Sequence, residues 1–182
     1  EHTCPWWFGY SFDNPIRSVF HRPSQVVGQY VKKGDTAADI GCGGGHFALG
    51  LARLVGDEGK VIAVDVQERM LDRVKRRAES QGLERMVEIR LCSPGTLGLG
   101  KPLDFALAFW MVHEVPDQRA LLSEVRSVLT SSGRFLIVEP LVHVSSTRFR
   151  KTVEVSEETG FQVVSEPRVR FSRAVLLSPG TP

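Results

Sequence analysis

Residues 39–47 read Asp39-Ile40-Gly41-Cys42-Gly43-Gly44-Gly45-His46-Phe47. They begin at the end of Thr36–Ile40, which reads as a buried strand. After them the apolar residues Phe47, Leu51, Leu54 and Val55 recur at helical spacing. Glycine has no Cβ, so the backbone can turn tightly here and a ligand can approach it closely. The helix that follows leaves its first N–H groups without intrahelical partners. A plain strand-to-helix turn needs one glycine; Gly41, Gly43, Gly44 and Gly45 together argue for a ligand.

Working outward, the pattern alternates. Val61–Val64 reads as a second buried strand, ended by Asp65. Glu68–Gln81 reads as an amphipathic helix with Met70, Leu71, Val74 and Ala78 inward and Gly82 at its C-cap. Upstream, Ser24–Val31 predicts a short helix and Lys32–Asp35 a turn. Downstream, Val87–Leu91 and Leu103–Phe109 read as strands. Pro116-Asp117 opens a helix carrying Leu121, Leu122, Val125, Val128 and Leu129, which Ser131-Ser132-Gly133 should end before a strand at Arg134–Val138. A helix over Ser145–Glu158 and strands at Phe161–Ser165 and Ala174–Leu177 complete the chain. Strands alternating with helices, nearly all apolar, predict a doubly wound α/β domain with a mainly parallel sheet. Its ligand belongs outside the carboxyl ends of the strands, at the switch point beside the first one.

The 182 residues are 42% hydrophobic and 24% charged, with Lys plus Arg 23, Asp plus Glu 21 and a net charge of +2. This length suits one domain and leaves little room for a second. The apolar content excludes general disorder, and the balanced charge disfavours an electrostatic grip on nucleic acid. Cys4, Cys42 and Cys92 are odd in number and spaced unlike a zinc site, which points to a reducing cytoplasm and no metal. His2 beside Cys4 is too little for a metal site. No apolar run has the length of a membrane span, and no signal peptide is visible. Residues 1–23 hold Trp6, Trp7, Phe8, Tyr10, Phe12 and Phe20. Such aromatic density predicts a segment that packs back as a lid. Residues 24–177 make the domain, and 178–182 read as a loose tail.

Two ligand classes use a glycine turn of this kind. Dinucleotide enzymes use G-x-G-x-x-G; Gly41 and Gly43 fit it, but His46 stands where the third glycine belongs. S-adenosylmethionine has no phosphate and carries an α-amino group that Asp39 can meet. At Asp39-Ile-Gly41-Cys-Gly43-Gly-Gly45 the sequence resembles the class I S-adenosylmethionine-dependent methyltransferases, whose first motif is acidic–apolar–Gly-x-Gly-x-Gly. Asp65, at the end of strand two, is placed to take hydrogen bonds from two ribose hydroxyls. Leu91-Cys92-Ser93-Pro94 matches the family's adenine segment, where an Asp is common in place of Ser93. Leu103–Asp117 resembles the segment after strand four, with His113-Glu114 before a helix. The resemblance runs from about residue 10 to 177.

The resemblance implies a Rossmann-like, mainly parallel seven-stranded sheet with an antiparallel last strand. It implies S-adenosylmethionine as cofactor, S-adenosylhomocysteine as product and a small-molecule acceptor. Cofactor contacts fall to Tyr10, Asp39, Gly41, Cys42, Gly43, Gly44, Asp65, Val66, Cys92, Ser93, Phe109 and Trp110. His113 is the candidate base, since its ordinary pKa of about 6.5 suits proton transfer near neutrality. Glu114 or Glu139 could orient or replace it. Aromatic walls suit a dispersing sulfonium charge, and Trp6, Trp7, Tyr10, Phe12, Phe109 and Trp110 supply them. The chain's shortness favours a small acceptor or a pocket shaped by a partner chain, as in a homodimer. The basic cluster Arg69–Arg77 is interleaved with acids and reads as a solvated helix face. Arg168, Arg170 and Arg173 could line one side of a strand and meet an acidic substrate. Two other readings remain: a module that holds the cofactor without catalysis, and a nicotinamide oxidoreductase. The missing third glycine and the lack of a Tyr-x-x-x-Lys pair weigh against the latter.

Overall fold

The computed structural model describes residues 20–180 apart from Pro94 and Lys101. The aromatic residues ahead of Phe20, Tyr10 among them, lie outside the described residues, as do His2, Cys4 and Pro94. The elements are α1 (Pro23–Val26), β1 (Thr36–Ile40), α2 (His46–Val55), β2 (Lys60–Asp65), α3 (Glu68–Ser80), β3 (Val87–Leu91), β4 (Leu103–Phe109), a 3-10 turn (Val112–Glu114), α4 (Gln118–Val128), β5 (Leu129–Pro140), α5 (Ser146–Glu158), β6 (Phe161–Ser165) and β7 (Ser172–Pro179).

The seven strands form one sheet in the order β3-β2-β1-β4-β5-β7-β6. Its first five are parallel, and β7 runs antiparallel between β5 and β6. This is the seven-stranded sheet that the sequence leads one to expect. The chain reverses its winding between β1 and β4, so the carboxyl ends of these two strands flank a crevice. Asp39 sits at that edge, in register with Ala63 of β2 and Leu107 of β4.

Both faces of the sheet are covered, which explains why the central strands do not alternate in polarity. On one face Ala37, Ala63, Phe105, Leu107, Leu136 and Val138 pack against α2 and α3 residues such as Leu51, Val55 and Val74. On the other, Ala38, Ile62, Ala106, Phe135 and Ile137 pack against Leu122 and Val125 of α4 and Phe149 of α5. Asp117 caps α4 through Ala120 N–H, and Ser145 caps α5 through Arg148 N–H. Among the described residues no helix is long and apolar enough to cross a membrane.

Three boundaries differ from the sequence reading. The first helix is a single turn, because the chain turns at Val27 and Gly28 is a poor helix former. Helix α4 stops at Val128, not at Ser131–Gly133. Leu129 is already extended and pairs with Leu103; the next pair is Phe105 with Arg134, so residues 130–133 form a bulge in β5. Strand β7 runs past Leu177, with Ser178 opposite Gln162 and Pro179 opposite Phe161, and Gly180 N–H donates to Gly160. The start of the expected loose tail is therefore paired sheet.

Candidate functional site

The glycine turn is clamped to the end of β2. Gly41 and Cys42 N–H both donate to the Val64 carbonyl, at 2.8 and 3.0 Å. Gly43 N–H donates to Asp65 Oδ2 at 2.9 Å, while Asp65 Oδ1 accepts Gln67 N–H at 2.9 Å. The Arg77 guanidinium, on α3, donates to the Gly44 carbonyl. Two glycines here have different reasons. A Cβ on Gly41 would stand 2.8 Å from Met111 Cγ, so that position is closed by packing. Gly43 has φ +50° and nothing within 4 Å of where a Cβ would be. It faces the open space at the carboxyl edge, where a ligand would lie against bare backbone.

Gly43→Ala is expected to weaken binding in this crevice by about tenfold or more, since a methyl group would occupy the ligand's approach. The left-handed backbone alone costs about 1–2 kcal/mol. Gly82→Ala controls for that cost: φ is +66° there with open space around it, just past the end of α3. Thermal melting should fall alike in both variants, and nucleoside binding only in the first.

Asp39 and Asp65 are both buried. Burial pushes the Asp65 carboxyl up from the usual aspartate range, against the pull of the Gln67 and Gly43 amides. The Cys42 thiol is pushed well up by burial, then by Asp39 and Asp65, so it is no nucleophile near neutrality. Cys92 is raised by burial and by Asp65, and its N–H donates to the Asp65 carbonyl at 3.0 Å. Ser93 beside it is exposed and accepts Thr96 N–H through its carbonyl. Val66 and Leu91, 44% and 57% exposed, leave apolar surface on either side of Asp65. The structure thus gathers Asp39, Gly41, Cys42, Gly43, Asp65, Val66, Cys92 and Ser93 along one edge.

The second half of the site follows β4. Trp110 has φ +61°, a left-handed conformation rare for a bulky residue. It is held by its N–H on the Val138 carbonyl and by Nε1–H on Ser172 Oγ at 2.9 Å. Phe109 is different. Its ring is buried with its centre 4.4 Å from that of Phe47, so it belongs to the core rather than to a pocket wall. His21, which nothing in the sequence singles out, packs edge-on to both Phe109 and Trp110.

His113 lies on the 3-10 turn, near the end of β5. The Glu139 carboxylate receives its backbone N–H at 3.1 Å and its ring Nδ1–H. Glu139 is 1% exposed and acts as acceptor to both. With the proton fixed on Nδ1, the lone pair is on Nε2, the arrangement a general base needs. Glu114 Oε1 stands 3.9 Å from that Nε2, and the His143 ring is parallel to that of His113 with centres 6.4 Å apart. Of the two carboxylates beside the imidazole, Glu139 is the orienting one. Among the described residues no group of three or more His, Cys, Asp or Glu could hold a metal ion.

Burial raises the Glu114 carboxyl above its usual 4.5, with His113 opposing and Glu139 and Asp65 adding to the rise. Native Glu114 therefore holds its proton to a higher pH than in the unfolded chain. Its contribution is fully present below the unfolded pKa and is lost as pH rises through the folded one. Glu114→Gln lacks this loss. In urea titrations it should exceed wild type in stability at neutral pH, and the gap should close as pH falls below the carboxyl range.

Residues 31–166 match the model of a methyltransferase domain. The chain belongs to this methyltransferase family. A demethylmenaquinone methyltransferase of Lactobacillus johnsonii is 31% identical over 110 residues, 60% of this chain and 45% of the relative. A 2-phytyl-1,4-naphtoquinone methyltransferase of Trichormus variabilis is 33% identical over 150 residues, 69% of this chain and 65% of the relative. The chain thus spans less than half of the first of these curated relatives. A SAM-dependent methyltransferase from Aquifex aeolicus has the same fold, with a TM-score of 0.87 over 97% of this chain and 100% of that one, at 24% identity. In this methyltransferase domain the matched span runs from Val31, before the glycine turn, to Glu166, beyond Glu139 and α5. It takes in both halves of the edge just described. The same edge is also contacted by Met111, Arg77 and Glu139, which stand far from the glycine motif in sequence.

Proposed function

We propose that this chain is an S-adenosylmethionine-dependent methyltransferase acting on a small-molecule acceptor. The observation that carries the reading is the Gly43 backbone, open to the crevice and bonded to Asp65, at the switch point of a methyltransferase sheet. Asp65 would accept from the ribose hydroxyls, Asp39 would meet the α-amino group, and Val66 and Leu91 would flank the adenine. When bound, S-adenosylmethionine supplies the methyl group on a sulfur leaving group. The protein's part is to position the acceptor and exclude water.

His113 Nε2 takes the acceptor's hydroxyl or amine proton, and the buried Glu139 carboxylate steadies the imidazolium that results. Trp110 lies on the same edge, half-exposed. Leu141, Val142 and Phe171, exposed at the ends of β5 and β7, support an acceptor with an apolar part. The named quinone methyltransferases among the relatives support the same class. Of the segment expected to act as a lid, residues 1–19 lie outside the described residues, and Phe20 packs edge-on to Phe171 with ring centres 5.6 Å apart. A cytoplasmic location, supported by free Cys42 and Cys92, and an acceptor other than nucleic acid, supported by the net charge of +2, belong to this proposal. Incubating the protein with methyl-labelled S-adenosylmethionine and a panel of hydroxylated aromatics and reduced naphthoquinones tests the reading. Label should pass to at least one of them; hydrolysis without transfer across the panel would favour a cofactor-holding module.

A further inference from the structure

A cleft of about 820 Å³ opens between α5 and the connection from β6 to β7. Its charged lining is Arg150, Arg168, Arg170 and Arg173 against the single carboxylate of Glu166, with Phe149 on its wall. Only Arg173 of the terminal arginines lies in a strand; Arg168 and Arg170 sit in the connection, so the three do not line one side of a strand as their spacing suggested. They converge because the connection folds back towards α5.

Among the described residues none of these four guanidinium groups forms an ion pair, and Arg150 and Arg168 have no hydrogen-bond partner there either. Arg170 lies 4.5 Å from the ring centre of Phe20 and 5.2 Å from that of Phe171, which fixes it by cation–π contact without neutralising it. Arg173 donates to the Val144 carbonyl at 2.7 Å, again a neutral partner. The Arg69–Arg77 face of α3 is different, since its cations alternate with Glu68, Asp72 and Glu79. Uncompensated like charges around a cleft repel one another, and an oxyanion relieves that repulsion while taking forked hydrogen bonds.

The cleft adjoins the proposed base. Arg173 is directly opposite Glu139 in the β5–β7 pairing, and Glu139 holds His113. Arg148, two residues before Arg150 on α5, donates to the His113 carbonyl. From this placement we propose that the cleft binds a phosphate or polycarboxylate group on the acceptor side of the site. Its role as an acceptor subsite rests on the methyl-transfer reading; the anion binding itself does not.

The test is calorimetric titration of inorganic pyrophosphate into the whole chain, with and without saturating S-adenosylhomocysteine, and into an Arg150→Gln/Arg168→Gln variant. Both arginines are exposed, so the variant should melt like wild type. Saturable binding is expected in wild type, weaker by about tenfold or more in the variant and unaffected by S-adenosylhomocysteine. Absence of binding, equal affinity in the variant, or displacement by S-adenosylhomocysteine would each overturn the proposal. If S-adenosylhomocysteine itself does not bind while pyrophosphate does, the cofactor reading fails and the anion cleft stands.

Discussion

Replacing His113 by alanine is expected to lower turnover by about 10²–10⁴-fold, the usual contribution of a positioned general base, while S-adenosylhomocysteine affinity stays unchanged. The imidazole is the group at this edge with its lone pair set by a buried partner, since Glu139 takes both its Nδ1–H and its backbone N–H. Glu139→Gln should lower turnover as well, because an amide cannot steady an imidazolium as a carboxylate does. The variant carries its own signature: the low-field proton resonance of the Nδ1–H should move upfield, which a general loosening of the fold would not cause. Turnover of His113→Ala equal to wild type would remove His113 from the chemistry. It would leave an acceptor that needs no deprotonation.

The second large effect concerns Asp65. Asp65→Ala should weaken S-adenosylhomocysteine by about 10²-fold or more, since hydrogen bonds to a charged carboxylate contribute about 1.5–3 kcal/mol each. The same change frees the Gly43 and Gln67 amides, so the glycine turn loses its tether to β2 as well. Melting should change less than binding, because the variant also removes a charge whose burial is unfavourable. The raised carboxyl has a further consequence in wild type. Asp65 loses its charge at a higher pH than an exposed aspartate, so nucleoside binding should weaken early on acidification. Wild-type affinity in Asp65→Ala would mean that the nucleoside lies elsewhere.

What the sequence made legible was local. Asp39–Phe47 is one contiguous strand, turn and helix, and its glycines state their own backbone requirement. Asp65 was legible for the same reason, as an acid at the end of an apolar run. The Glu139–His113 pair was only half legible: 26 residues separate the partners, and the β4–β5 pairing alone brings them together. Sequence could nominate Glu114 and Glu139 as equals, and burial separates them. At Phe109 an aromatic at a strand end suits a pocket wall or a core equally in sequence, and the ring packs against Phe47 on α2. The arginines near the end misled on backbone. Their spacing suggested a strand, whereas a connection folded towards α5 brings Arg168 and Arg170 beside Arg150.

The most direct test of the proposed function is calorimetric titration of S-adenosylhomocysteine into the whole chain, with NAD as the comparison ligand. A one-to-one isotherm in the range of about micromolar dissociation, reduced in Gly43→Ala and absent with NAD, is the expected result. No heat from S-adenosylhomocysteine, with saturable binding of NAD instead, would contradict it.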